Sequence, residues 1–76
     1  MLYVTMIHDY EHDYIKTFGA YRDLINAKEV ANKWFGDDYY CEEDLWDGNE
    51  MRIYFYKKIN HGLAGCSIIF KVDEII

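Results

Sequence analysis

The chain has 76 residues, a formal net charge of −6 and two cysteines, Cys41 and Cys66. That length admits one domain and one core, with only about 60% of the unfolded chain's surface buried on folding. The acidity disfavours contact with nucleic acid phosphates and anionic membranes, which are bound through Lys and Arg, and two distant cysteines are too few for a disulfide scaffold.

Large side chains must build the core. Four Phe, eight Tyr and two Trp are available, and aromatic residues bury about 150–250 Å² each. The sequence contains no proline, repeat or low-complexity tract, so residues 1–76 read as a single domain. Met1 to Ile7 is apolar but short, and His8, Asp9 and Glu11 follow at once, which predicts no signal peptide. No apolar run approaches the roughly 20 residues of a membrane helix. The expected location is the cytoplasm, with both thiols reduced.

Leu2 to Tyr10 is rich in β-formers, namely Tyr3, Val4, Thr5 and Ile7. Glu11-His12-Asp13 breaks the run. Tyr14 to Tyr21 resumes it with Ile15, Thr17 and Phe18. Two such runs around a short polar break predict a hairpin. Gly19 marks a bulge or a close approach of the following helix.

The helix comes next. Asn26 is a good N-cap, and Glu29 three residues later completes a variant capping box. Ile25 and Val30 are spaced as a hydrophobic staple. Ala27, Val30, Ala31 and Trp34 share one face at helical spacing. Gly36 stands where a left-handed C-terminal cap is expected. The helix is therefore predicted from about Ala27 to Phe35, with the small Ala27 and Ala31 letting its backbone approach the sheet.

Asp37 to Glu50 reads as a polar, acidic connection. Met51 to Lys58 is a strand that alternates Ile53 and Phe55 with Tyr54 and Tyr56. Asn60-His61-Gly62 begins a turn that runs through Gly65. Cys66 to Val72 is the last strand, with Ile68, Phe70 and Val72 on one face. The order β-β-α-β-β predicts an α+β fold: a four-stranded antiparallel sheet with one helix packed on one face.

The Asp37–Glu50 segment holds Asp37, Asp38, Glu42, Glu43, Asp44, Asp47 and Glu50, half of the chain's carboxylates, and no Lys or Arg. Tyr39, Tyr40 and Trp46 are interleaved. Like charges this close repel one another, and a cationic partner would relieve them. Carboxylates interleaved with aromatic rings are what an imitation of a nucleic acid strand requires. The competing reading is a solvated acidic loop.

Other chemistry lacks its parts. Asp44-Leu45-Trp46-Asp47-Gly48 has the wrong spacing for an EF-hand. His8 and His12 are spaced H-x-x-x-H, but the zincin motif needs Glu directly after the first His. Neither cysteine belongs to a C-x-x-C pair. Cys66 reads as a core residue, and Cys41 beside Glu42 and Glu43 reads as a thiol of raised pKa. Ser67 is the only serine and has no G-x-S-x-G turn around it. The expectation is a protein that is not an enzyme, with no metal and no cofactor. The last feature is the tyrosine set Tyr3, Tyr54 and Tyr56. Tyr54 and Tyr56, opposite the helix-facing Ile53 and Phe55, form a tyrosine face that reads as a docking surface or homodimer seam. The competing reading is a half-exposed aromatic cover of the sheet.

In size, acidity and its lone β-β-α-β-β unit, the chain resembles the small acidic inhibitors of host defence that phages encode, the anti-CRISPR and anti-restriction proteins. The resemblance spans the whole chain and is one of composition. Its strongest element is Asp37–Glu50, similar in kind to the acidic surfaces with which such inhibitors occupy nucleic-acid grooves. Lys57, Lys58 and Lys71 depart from a wholly anionic surface. The resemblance implies a non-enzymatic inhibitor of a nucleic-acid-handling host protein, bound through a basic protein surface and without direct contact to nucleic acid or membrane. The expected partner-binding residues are Asp37, Asp38, Tyr39, Tyr40, Glu42, Glu43, Asp44, Trp46 and Asp47, joined by Tyr54 and Tyr56. The alternative is a homo-oligomeric structural or adaptor domain that pairs through the tyrosine face.

Overall fold

Alternating β-formers on either side of a tight polar turn produce the first hairpin as expected: β1 (Leu2–Asp9) pairs antiparallel with β2 (Tyr14–Tyr21). Ala20 lies opposite Val4 and Phe18 opposite Thr5, so Gly19 is the extra residue of a bulge. The chain continues through α1 (Leu24–Phe35), β3 (Tyr39–Glu43), β4 (Glu50–Lys57) and β5 (Leu63–Val72) in this computed structural model, which describes residues 1–73. All five strands form one antiparallel sheet in the order β2-β1-β5-β4-β3.

The class is α+β, but four strands in the order β-β-α-β-β are incorrect. There are five, and the order is β-β-α-β-β-β. The added strand is β3, inside the segment read as an acidic connection. Glu and Asp are poor strand formers, which hid it. Tyr39, Tyr40 and Cys41 supply the propensity, and an edge strand needs hydrogen bonds on one side only. The β3–β4 turn is a tight one: Asp47 N–H donates to the Glu50 carbonyl at 2.8 Å and Glu50 N–H returns the bond at 3.2 Å. Gly48 takes φ 62° there, a conformation that favours glycine.

The helix also begins earlier than its capping signal suggests. Asp23, not Asn26, is the N-cap, and its carboxylate accepts from Ile25 N–H at 2.8 Å. Ile25 is 68% exposed, so no staple with Val30 forms. Asn26 lies inside the first turn. Gly36 ends the helix at φ 89°, donating its N–H to the Asn32 carbonyl at 2.9 Å.

Helix α1 crosses the sheet over β1, flanked by β2 and β5. Ala27 and Ala31 are fully buried against Ile7, Met51, Ile53, Phe55 and Ile69. The alanines permit a close approach: Thr5 Oγ1 donates to the Ala27 carbonyl at 2.9 Å. A second close approach falls at Gly65, where a Cβ would collide with the His8 carbonyl oxygen and the Phe35 ring. Phe35 instead stacks on Phe55, with centroids 4.5 Å apart.

The register assigns the two sheet faces. Ile69 lies opposite Thr5 and Met51, so it faces the helix. Ile68 and Phe70 lie opposite Met6 and Val4 on the other face. Alternation along Cys66–Val72 is therefore real, but Ile68 and Phe70 point away from the helix. Central strand β5 is buried on both faces from Ala64 to Ile69, which is why its sequence is almost continuously apolar.

Candidate functional site

Strand β3 is the outer edge of the sheet, so its side chains alternate between the two faces. Tyr40 and Glu42, opposite Tyr56 and Tyr54, point to the helix-free face. Tyr39, Cys41 and Glu43, opposite Lys57, Phe55 and Ile53, point to the helix side. The expected surface is thus split in two by the pleat.

On the helix-free face the expected residues do converge. Tyr40 and Tyr56 stack with centroids 5.4 Å apart and planes within 20° of parallel. The Tyr40 hydroxyl lies 2.9 Å from His61 Nδ1, a partner that the sequence reading missed because a turn residue 21 positions away carries no local signal. Desolvation, then the Glu42 carboxylate, raise the Tyr56 pKa. Tyr54 completes a half-buried tyrosine patch beside Glu42. Ile53 and Phe55 face the helix, 2% and 3% exposed, as the alternation requires.

On the helix side the expected residues serve the fold. Glu43 forms an ion pair with Lys28 of α1. Tyr39 packs on Phe35 at 5.6 Å, and its hydroxyl donates to the Glu11 carboxylate at 3.3 Å. Glu11 also pairs with Lys57 at 2.8 Å. Trp46 does not stay with the acidic residues. It folds onto the core beside Tyr3, with the Lys71 ammonium 4.0 Å from its ring centroid, a cation–π contact. Burial, then the Glu43 carboxylate, raise the Cys41 pKa. Glu42 is on the opposite face and takes no part.

The carboxylates are compensated unevenly. Glu50 pairs with Arg52 at 3.1 Å and Glu43 with Lys28. Asp37 and Asp38 lie in the α1–β3 turn, where the Asp38 carbonyl accepts from Lys58 N–H at 2.9 Å and brings Lys57 and Lys58 near. Glu42, Asp44 and Asp47 are exposed and form no ion pair among the described residues. They cluster at the end of β3 and in the turn after it.

The histidines read as a pair lie apart. His8 is on the helix-free face with its ring edge-on to Tyr10, whereas His12 Nδ1 bonds Asp9 at 2.8 Å at the hairpin turn. Cys66 is buried on the helix-free face and accepts from the Tyr10 hydroxyl at 3.4 Å, which with burial pushes the Tyr10 pKa up to about 12. Among the described residues no three His, Cys, Asp or Glu side chains are grouped to hold a metal ion, and no helix is long and apolar enough to cross a membrane. The chain matches no family model, no curated protein and no solved structure.

Proposed function

We propose that this protein is a non-enzymatic inhibitor that occupies a basic surface of a nucleic-acid-handling protein, in the manner of phage-encoded anti-CRISPR and anti-restriction proteins. The supporting observation is the uncompensated acidic end of β3. Glu42 on β3 and Asp44 just after it lie near Tyr56, which stacks on Tyr40, and Asp47 follows in the turn, near Asp44 and Tyr54. Carboxylates held close together repel in the free protein, and a cationic groove relieves that repulsion. The neighbouring rings add apolar contact area, as bases do in a bound nucleic acid strand. The edge position exposes this surface without rearrangement of the fold.

The test is capture from a lysate of the organism that carries the gene, with wild type and a Glu42→Lys/Asp44→Lys/Asp47→Lys variant as bait. The expected partner is a nucleic-acid-binding protein that wild type retains, that added salt or duplex DNA displaces, and that the variant loses. Equal retention by the variant sinks the reading.

A second reading rests on the tyrosine patch itself. Tyr40, Tyr54 and Tyr56 share with half-buried Met6, Val4 and Phe70 a sheet face that no helix covers, and two such faces could pack together. A Tyr54→Lys change would then convert an assembled species to monomer in sedimentation. A wild-type monomer removes this reading.

A further inference from the structure

The two edges of the sheet differ in kind. β3 has five residues, two of them glutamates, and it is flanked by aspartates. Charge on a short strand is a common protection against edge-to-edge pairing. β2 has eight residues and one charge, Lys16, and both Tyr14 and Ile15 are exposed. Beyond its bulge at Gly19, the stretch Tyr14–Phe18 is a regular and largely uncharged edge.

A groove of about 510 Å³ runs beside this edge, between β2 and α1. Phe18, Tyr21, Val30 and Trp34 form its apolar walls, and Glu29 and Lys33 stand on its rim. Trp34 stacks on Tyr14 at 5.7 Å and meets Phe18 at 6.1 Å. Tyr21 and Asn26 line the other end. Strand and helix therefore run in opposite directions along the groove, and their midpoints, near Phe18 and Val30, lie side by side. Glu29 and Lys33 are four residues apart, two residues to either side of Ala31, and neither forms an ion pair among the described residues.

We propose that β2 and α1 form a homodimer interface, in which β2 pairs antiparallel with β2 of a second copy and the two grooves close on each other. A twofold axis normal to the sheet and level with Ala31, the residue after Val30, places Glu29 of each copy opposite Lys33 of the other. Such self-complementarity is what an isologous interface requires. The spacing is consistent. The axis lies half a strand spacing beyond β2, and α1 lies over β1, so the helices are three spacings apart, or about 14 Å. That exceeds the roughly 8–10 Å of directly packed helices. The gap accommodates the Phe18, Tyr21 and Trp34 rings of both copies and falls within the combined reach of Glu and Lys side chains. An edge of eight residues, about 26 Å long, and two layers of about 10 Å each give about 500 Å² per copy, so the pair reaches the roughly 1,000 Å² of a specific interface.

The dimer would be a continuous ten-stranded sheet with an acidic β3 edge at each end. It leaves the surface proposed above free, and either proposal can fail without the other. Sedimentation equilibrium of the full chain at micromolar concentration is the test. The expected result is a dimer, with Trp34 emission shifting to the blue as concentration rises, because Trp34 is 37% exposed in the single chain. Glu29→Lys alone and Lys33→Glu alone each set four like charges across the interface and should weaken association by about tenfold or more. The double swap, Glu29→Lys with Lys33→Glu, restores opposite charges and should restore the dimer. All these residues are exposed, so circular dichroism should show unchanged folding. A monomeric wild type overturns the proposal, as does a dimer indifferent to the single reversals or one that the double swap does not restore. A dimer lost only in Tyr54→Lys places the pairing on the tyrosine face and overturns it too. So does a monomer whose β2 amides respond to an added extended peptide.

Discussion

The Asp9 carboxylate ties the first hairpin to the helix. One oxygen accepts from the backbone N–H of Glu11 at 3.1 Å and of His12 at 3.2 Å. The other accepts from Trp34 Nε1 at 3.1 Å and lies 2.8 Å from His12 Nδ1. Burial acts to raise its pKa, but the bonds from His12 and Trp34 outweigh burial and hold it below the ordinary value of 3.8. A lowered carboxylate pKa stabilises the fold at pH above that ordinary value, and the contribution is lost as pH falls through the folded pKa. Asp9→Asn should therefore cost about 2 kcal/mol at neutral pH, a typical figure for hydrogen bonds to a charged group. The deficit should shrink toward pH 3, and thermal unfolding across pH 2–7 measures it. A deficit independent of pH contradicts the ionic account. No local pattern announces this residue, because Trp34 lies 25 positions away.

Among the elements, α1 shows how a correct signal can be placed a turn too late. Two capping residues stand three apart, Asp23 and Asn26, and both are good N-caps by type. The nearby Glu29 favours Asn26 on local grounds. The short β2–α1 link decides for Asp23: the strand ends at Tyr21, and the helix begins at Leu24 so that Ala27 and Ala31 meet the sheet. Asp23→Ala should cost about 1 kcal/mol. Asn26→Ala should be neutral, or stabilising by a few tenths of a kcal/mol, because alanine is the better residue inside a helix. Urea denaturation of the two variants distinguishes the caps, and a larger loss at Asn26 would contradict the assignment. Strand β3 escaped for the opposite reason. Its propensity signal is three residues long, Tyr39 to Cys41, and two glutamates dilute it. What makes it a strand is the register with β4, a partner the local sequence does not specify.

For the molecule as a whole, charge is unevenly spread. Lys28, Arg52, Lys57 and Lys71 each engage a specific partner, while Glu42, Asp44 and Asp47 stand together without one. This imbalance should be visible before any partner is known. Repulsion among exposed carboxylates is screened by salt over a Debye length of about 10 Å at 0.1 M. Added sodium chloride should therefore raise the melting temperature modestly at neutral pH, and a Glu42→Gln/Asp44→Asn variant should show a smaller rise. An identical salt response in both would mean that the acidic end of β3 is not strained by its own charge.

Periodicity and composition alone determined the α+β class, the first hairpin, the helix and its buried alanine stripe, and the division of β4 into a core face and a tyrosine face. These depend on spacing within one segment, and spacing is written locally. The tertiary structure decided the rest. It made an acidic connection into an edge strand, sent Glu42 and Glu43 to opposite faces, and drew Trp46 back onto the core under Lys71. It placed Ile68 and Phe70 away from the helix and left β2 as the weakly charged edge. Each of these outcomes depends on which strand lies beside which, and strand pairing is a long-range choice made by the register of the whole sheet.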